Sequence, residues 1–82
     1  MGVKVKASLG TEKYYTEVIA GENKIITDEP LAQGGGNKGF NPYEILATSL
    51  ASCTAATLRM YIDRKAWDIP QINVEVDLEN YP

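Results

Sequence analysis

The sequence predicts an α+β fold in which one long helix follows a three-stranded sheet and precedes one returning strand. Near the N-terminus, apolar and polar residues alternate, as they do in half-buried strands. From about residue 42 to about residue 66, apolar and small residues recur at spacings of three and four, the period of a helix face. Alternation returns after that segment. These patterns predict a three-stranded antiparallel meander, a glycine-rich loop, a long central helix and a returning strand.

The meander is predicted from three short strands at about residues 3–9, 14–20 and 23–28. Apolar residues occupy every second position of the first strand, where they alternate with lysine and serine. Turn residues separate the strands at Gly10-Thr11-Glu12 and at Gly21-Glu22-Asn23. Such short connections favour antiparallel neighbours, so the three strands form a meander.

Residues 28–41 form a linker that contains three consecutive glycines at 34–36 and another at Gly39. Consecutive glycines resist regular structure, which predicts a mobile loop. A phosphate-binding loop would end in Gly-Lys followed by Ser or Thr at the start of a helix. Here Lys38 is followed by Gly39, so the linker does not have that pattern.

The helix is expected to begin directly after Asn41, because this residue type is a good N-cap and Pro42 suits the first helical position. Glu44 stands where a capping-box acid would bind back to the N-cap. One stripe of the helix consists of Leu46, Ser49, Leu50, Cys53, Thr57, Met60 and Tyr61. Asp68-Ile69-Pro70 then ends the helix, and alternation predicts a fourth strand at about residues 71–79.

Composition excludes several functional classes. The chain has 82 residues, which predicts one small domain with a modest core. It has a net charge of -3 and no basic block, so we expect no nucleic-acid partner. The absence of histidine and of clustered ligands argues against a metal, and no cofactor is expected. The N-terminus lacks the apolar segment of a signal peptide, and no stretch looks long enough to span a membrane, which predicts a cytoplasmic protein without a membrane partner.

The stretch from Asn41-Pro42 to Ser52-Cys53 resembles the signature of the OsmC/Ohr family: an Asn-Pro helix start, a run of small residues and a cysteine at a fixed distance from the proline. The continuation from Thr57 to Trp67 resembles the OsmC-like subgroup described as predicted redox proteins, and the resemblance extends from Val3 to the end of the sequence. It implies an intertwined homodimer with a site at each subunit interface, of which this chain would be an incomplete subunit.

The resemblance also implies a chemistry. Family members reduce organic hydroperoxides in an oxidative stress response, using one cysteine that attacks the peroxide and a second that closes a disulfide, which an external thiol then reduces. Cys53 is at the position of the first cysteine. The second lies on a later helix of the family, and these 82 residues contain no second cysteine. Whether this chain is an enzyme therefore stays open, and we expect it not to turn over peroxide by itself.

Two other departures concern the residues around the thiol. The peroxidase members have a glutamate directly after the proline, where this sequence has Tyr43, and Glu44 follows one position later. They also hold the thiolate with an arginine from the N-terminal region, whereas the first arginine here is Arg59. The role of that arginine is vacant, or it is taken by Lys13 or Lys38, a replacement that the motif does not support.

Each candidate residue has a second interpretation. Cys53 is either a peroxidatic nucleophile or a packing residue among small neighbours. Glu44 is either an acid–base group or a helix cap, and Phe40 and Tyr43, with Trp67, either line a substrate pocket or belong to a core or interface. Three functions follow: an OsmC-like redox protein, a non-catalytic homodimeric OsmC-like fragment with a structural cysteine, and a small-molecule binding module.

Overall fold

The computed structural model describes residues 2–79 and has the α+β class that the sequence predicts. In chain order its elements are β1 (Lys6–Leu9), β2 (Thr16–Ala20), β3 (Asn23–Thr27), a short 3-10 turn (Leu31–Gln33) and α1 (Pro42–Arg64). The chain divides into two compact units, Met1–Glu44 and Ile45–Pro82. Each unit is described by itself below.

The first unit is built on an antiparallel sheet with the order β1-β2-β3, the predicted meander. Ala7 is opposite Val18, and Val18 is opposite Ile25, so these three side chains share one face. The other face carries Lys24 and Glu17, which form an ion pair. β1 begins three residues later than the sequence predicts, because residues 2–5 pair with no strand in the described chain.

The linker after β3 is held to the sheet at both of its ends. The backbone N–H of Asp28 donates to the carbonyl of Phe40 at 3.0 Å, and Thr27 and Phe40 form an isolated parallel bridge. Between these points, Asn37 N donates to Glu29 O at 3.0 Å. The loop therefore leaves and rejoins the sheet at one place, which differs from the freely mobile linker that the glycine content predicts.

Helix α1 begins as expected and ends by a Schellman motif at Ala66. Trp67 N donates to Ile62 O at 3.1 Å, and Ala66 N donates to Asp63 O at 3.0 Å. Ala66 adopts the left-handed conformation that this motif requires, with φ of 58°. The rings of Tyr61 and Trp67 then meet edge to face, 5.8 Å apart. The helix thus stops before Asp68-Ile69-Pro70, at a signal that the sequence analysis did not use.

The returning strand predicted at 71–79 is not formed in the structure: within residues 2–79 this segment joins no sheet. Its burial nevertheless alternates, since Ile72, Val74 and Val76 are half-buried and the residues between them are exposed. A strand is defined by its ladder of backbone hydrogen bonds, which needs a neighbour. The alternation of apolar residues in the sequence therefore matches the alternation of burial, but alternation alone does not specify a neighbouring strand.

Few side chains are fully buried. Among residues 2–79, Ile62 is the only buried apolar residue and Asp28 is the only buried polar one. Large apolar side chains along the helix remain exposed, including Leu46, Leu50 and Met60. Most of the apolar surface that the sequence offers for a core is thus open to solvent.

Helix α1 also bears on the expectation that no stretch could span a membrane. With 23 residues and a mean hydropathy of 1.2 in its most apolar window, it is long and apolar enough to cross a bilayer. The expectation was therefore wrong on length and composition. Core helices of soluble proteins meet the same criterion, so the finding is weak evidence for a membrane.

Candidate functional site

The two sides of helix α1 differ in how far they are covered. The partly or fully covered residues on one side are Ile45, Ala51, Ala55, Arg59 and Ile62. The exposed residues on the opposite side are Leu46, Leu50, Cys53, Thr57 and Met60, and we call this set the open stripe. Since a helix rotates about 100° per residue, Cys53 leaves the helix about 180° from Ile62. The cysteine thus lies at the centre of the open stripe.

The thiol of Cys53 is free and exposed. Within residues 2–79, its side chain takes part in no hydrogen bond or ion pair. Arg59, the nearest arginine along the helix, leaves it about 120° away in azimuth and about 9 Å further along the axis. Its guanidinium instead bonds Asp63 at 3.4 Å. Helix α1 therefore leaves the sulfur accessible and, at the positions three and four residues from Cys53, supplies no cation to stabilise a thiolate.

The start of the helix is a capping box. Asn41 Oδ1 accepts from the backbone N–H of Glu44 at 2.8 Å, and Glu44 Oε1 accepts from the backbone N–H of Asn41 at 2.9 Å. Glu44 lies about 13 Å along the helix from Cys53 and on the opposite side of it. This geometry supports the capping role of Glu44 and separates its carboxylate from the thiol.

The aromatic residues proposed for a substrate pocket are both exposed. Phe40 is 52% accessible and Tyr43 is 55% accessible. Phe40 is held through its backbone, by the bridge to Thr27, while its ring extends into solvent. Trp67, the third aromatic candidate, belongs to the helix end through its contact with Tyr61.

Of the two lysines that could take the role of the missing arginine, Lys38 forms its ion pair with another residue. Lys38 Nζ bonds Glu12 Oε2 at 2.6 Å and lies 5.4 Å from the centre of the Tyr15 ring. The hydrogen bond and charge of Glu12 raise the pKa of Lys38 above its usual value. Lys38 therefore joins the β1–β2 turn to the glycine-rich loop. In the first unit it acts as a structural cation.

Asp28, which was not among the predicted site residues, organises the loop. Its side chain is 2% accessible, and its carboxylate accepts hydrogen bonds from four backbone N–H groups. The donors are Glu29 at 2.8 Å, Tyr14 at 3.1 Å, Lys38 at 3.1 Å and Gly36 at 3.3 Å. An aspartate at the end of a strand, ahead of a glycine-rich loop, is the available sequence signal, because this side chain binds nearby backbone amides.

Burial of Asp28 affects its protonation in two opposing ways. Removal from water raises the pKa of its carboxyl, and the backbone donors of Glu29, Lys38, Tyr14 and Gly36 lower it. The donors prevail, so the pKa lies below its ordinary value and the group is ionised at neutral pH. Both oxygens of its carboxylate accept hydrogen bonds from backbone N–H groups, which makes Asp28 a structural group.

The described residues also do not form a metal site. Within residues 2–79, no group of three His, Cys, Asp or Glu side chains is placed to hold an ion. The candidate site is therefore the single thiol of Cys53 on the open stripe of α1.

Comparison with known proteins identifies the family of this helix. A family model described as OsmC-like protein matches residues 35–82. The chain belongs to the OsmC-like family. The match includes the capping box and Cys53, and thus covers the residues from which the resemblance was noticed.

The OsmC-like match begins within the glycine-rich loop, so the sheet of the first unit lies outside it. No curated protein and no solved structure matches this OsmC-like chain. The family is consequently established by the helix and the segment that follows it.

Proposed function

We propose that this chain is an OsmC-like redox protein that works as a cytoplasmic homodimer, with the sulfur of Cys53 as its reacting atom. The observation that carries the proposal is the position of Cys53 at the centre of the open stripe, where the sulfur is accessible. Family membership supports the redox assignment, because the cysteine occupies the position that the family resemblance gives to the attacking thiol.

The proposed reaction is attack of the Cys53 thiolate on the terminal oxygen of an organic hydroperoxide. The O–O bond breaks as an S–O bond forms, which leaves a cysteine sulfenic acid and, after protonation of the leaving alkoxide, an alcohol. An external thiol then condenses with the sulfenic acid and releases water. A second external thiol reduces the mixed disulfide and restores Cys53.

The same geometry limits the rate. A peroxide-cleaving thiol needs a lowered pKa, which is commonly supplied by a neighbouring cation or a helix N-terminus. Cys53 lies about 16 Å from the start of α1, well beyond the first turn where the helix dipole acts. Since no residue three or four positions from Cys53 on the helix is a cation, the thiol should react slowly and once per chain unless an external thiol is present.

The homodimer is supported by the exposed apolar side chains of the open stripe. Leu46, Leu50 and Met60 are each at least half accessible. Contiguous exposed apolar surface is typical of an interaction site, and a second copy of the chain would cover it. Sedimentation at micromolar concentration should show a dimer. A stable, folded monomer would contradict this part of the proposal.

The chemistry is tested by counting oxygen atoms transferred to the protein. After one equivalent of an organic hydroperoxide, trapping with a sulfenic-acid reagent and intact-mass measurement should show one modified Cys53 per chain. Cys53→Ser should show none, while Ser52→Ala, a neighbouring exposed control, should match the original protein. Equal peroxide consumption by the Cys53→Ser variant and the original chain would overturn the proposal and leave Cys53 as a packing residue.

A second arm adds excess dithiol. With dithiol present, we expect sustained peroxide consumption that disappears in Cys53→Ser, because the external thiol restores Cys53. Sustained consumption without dithiol would contradict the expectation that these 82 residues do not turn over peroxide by themselves. Glu44→Gln separates capping from acid–base chemistry, because glutamine still accepts the hydrogen bond from Asn41. We expect this variant to keep both its stability and its reaction with peroxide.

A further inference from the structure

Two hydroxyl side chains flank Cys53 on the same side of helix α1. Ser49 is four residues before it and Thr57 is four residues after it, and all three side chains are exposed. Residues four apart on a helix are surface neighbours, with about 5–6 Å between their Cβ atoms. The neighbours at a spacing of three, Leu50 and Ala56, are apolar. The hydroxyls that α1 presents beside the sulfur are therefore those of Ser49 and Thr57.

These two hydroxyls differ in their hydrogen bonds. The hydroxyl of Ser49 donates to the carbonyl of Leu46 at 2.7 Å, so its one hydrogen is already used. A helical threonine can bond back to the preceding turn in the same way. Within residues 2–79, however, the hydroxyl of Thr57 forms no hydrogen bond. Thr57 thus keeps a free donor one turn from the thiol.

The direction of side chains on a helix also favours Thr57. Each Cα–Cβ bond tilts toward the N-terminus of the helix, so that a side chain covers the turn before its own Cα. Thr57 therefore leans over the turn that holds Cys53, whereas Ser49 leans away from that turn. The side chain with the free donor is the one that approaches the sulfur.

We propose that the hydroxyl of Thr57 is a catalytic hydrogen-bond donor to the leaving oxygen when Cys53 cleaves an organic hydroperoxide. This inference rests on the proposed function and adds a second residue to it. The gap between the two side chains accommodates the O–O group of the peroxide. Its terminal oxygen would lie about 3–3.5 Å from the sulfur, as in a near-attack arrangement. The other oxygen would then be within hydrogen-bond reach of Thr57 Oγ1.

The movement of electrons shows why a donor is useful at that place. An electron pair of the thiolate forms the S–O bond, and the electrons of the O–O bond leave on the alkoxide oxygen. Sulfur is oxidised by two electrons and the peroxide is reduced by two. Negative charge grows on the leaving oxygen, where a hydroxyl donor stabilises it. Water supplies the proton that converts the alkoxide to an alcohol, so Thr57 retains its own hydrogen.

Removal of the hydroxyl tests this role. Thr57→Val keeps the shape of the side chain but cannot donate, and it should slow the oxidation of Cys53 by tert-butyl hydroperoxide about tenfold or more. Thr57→Ser should recover most of the rate. Thr54→Val is the matched control and should react like the original protein, because Thr54 is exposed but leaves the helix about 100° from Cys53. Circular dichroism and sedimentation report whether each variant keeps its fold and assembly.

The leaving group separates a direct role of Thr57 from a structural one. Peracetic acid also transfers its terminal oxygen to a thiolate, but it releases acetate, a far weaker base than an alkoxide. Thr57→Val should therefore change the rate with peracetic acid by less than about twofold. Alkylation of Cys53 by iodoacetamide, which releases iodide, should also keep its rate. Equal slowing with all three reagents would mean that Thr57 acts through the sulfur or the helix, and would overturn the proposed role.

The outcomes distinguish this inference from the proposed function. If Thr57→Val reacts with tert-butyl hydroperoxide at the original rate, or if Thr57→Ser is as slow as Thr57→Val, then Thr57 is not the donor and the role of Cys53 stands. If the original protein and Cys53→Ser consume this peroxide equally, both proposals fail.

Discussion

Two segments of this protein show opposite relations between sequence pattern and backbone pairing. The glycine-rich loop at 28–40 has no periodicity, and yet a buried carboxylate binds its backbone through several amides. The segment at 71–79 has clear strand periodicity, and yet it joins no ladder within the described chain. Periodicity reports which side chains are apolar together. Order of the backbone depends instead on which partners its N–H and C=O groups find, and periodicity does not report those partners.

The strongest test of this difference removes the loop's acceptor. Asp28→Asn replaces a charged four-donor acceptor with an amide whose NH₂ group opposes at least one of those donors. We expect the largest destabilisation of any single substitution discussed here, with fast hydrogen exchange at Gly36 and Lys38. Exchange at residues 71–79 should not change.

The exposed residue Asp68 provides the matched control. Asp68→Asn should leave hydrogen exchange in the loop unaltered. In the original protein, the amides of Gly36 and Lys38 could already exchange at the rate of an unstructured peptide. That result would mean that the loop is mobile, as the glycine content predicts, and that Asp28 does not order its backbone.

Low pH should weaken the hydrogen bonds between the Asp28 carboxylate and its backbone donors. Because the pKa of Asp28 is lowered in the folded state, its ionised form contributes stability above the unfolded pKa, about 3.9. That contribution is lost as pH falls through the lower folded value. Urea unfolding between about pH 5 and pH 2.5 should therefore show a decline in stability that is smaller in Asp28→Asn. Identical declines in both proteins would mean that Asp28 is not the group responsible.

A smaller effect is expected where the loop approaches the sheet. A Cβ atom at Gly39 would lie 2.2 Å from the carbonyl oxygen of Ile26, which is backbone and has little freedom to move. Gly39→Ala should therefore cost about 1–3 kcal/mol of unfolding free energy. Gly10→Ala is the control, since a Cβ there has nothing within 4 Å. Equal denaturation midpoints for the two variants would argue against close packing of the loop.

The smallest expected change is a gain at the end of the helix. Ala66 has φ of 58°, a conformation that costs an L-residue with a Cβ about 1 kcal/mol and costs glycine little. Ala66→Gly should accordingly raise the unfolding free energy by up to about 1 kcal/mol, measured by thermal or urea unfolding. Ala56→Gly, inside the helix, should lower it by a similar amount. A loss in both variants would mean that the Schellman motif is not formed in solution.

The sequence predicted those features that depend on neighbours close in the chain. The capping box of Asn41 and Glu44 and the meander are of this kind, because a side chain three residues away or a short turn decides them. The fourth strand required a partner that local pattern does not specify. The role of Asp28 was missed because two of its four donors, Tyr14 and Lys38, are ten or more residues away along the chain.

In the candidate site too, local sequence predicted some features and left others open. The position of Cys53 on the helix followed from periodicity, and the capping role of Glu44 followed from its spacing to Asn41. The sequence had left open whether Phe40 and Tyr43 line a pocket, and in the structure both rings are exposed. Whether another surface closes over them depends on contacts that a single chain does not contain, for which dimerisation is the proposed source.

The closure of the loop by Asp28 and Phe40 has a consequence for chain length. Because the ends of this segment are bound to each other at 3.0 Å, it is an Ω-type loop, and the turn at Leu31–Gln33 lies exposed at its far side. Residues inserted beside Gln33 would lengthen a segment whose ends are already fixed. Each doubling of loop length then costs only about 0.6 kcal/mol of closure entropy. This turn is therefore where the protein should tolerate an inserted peptide tag.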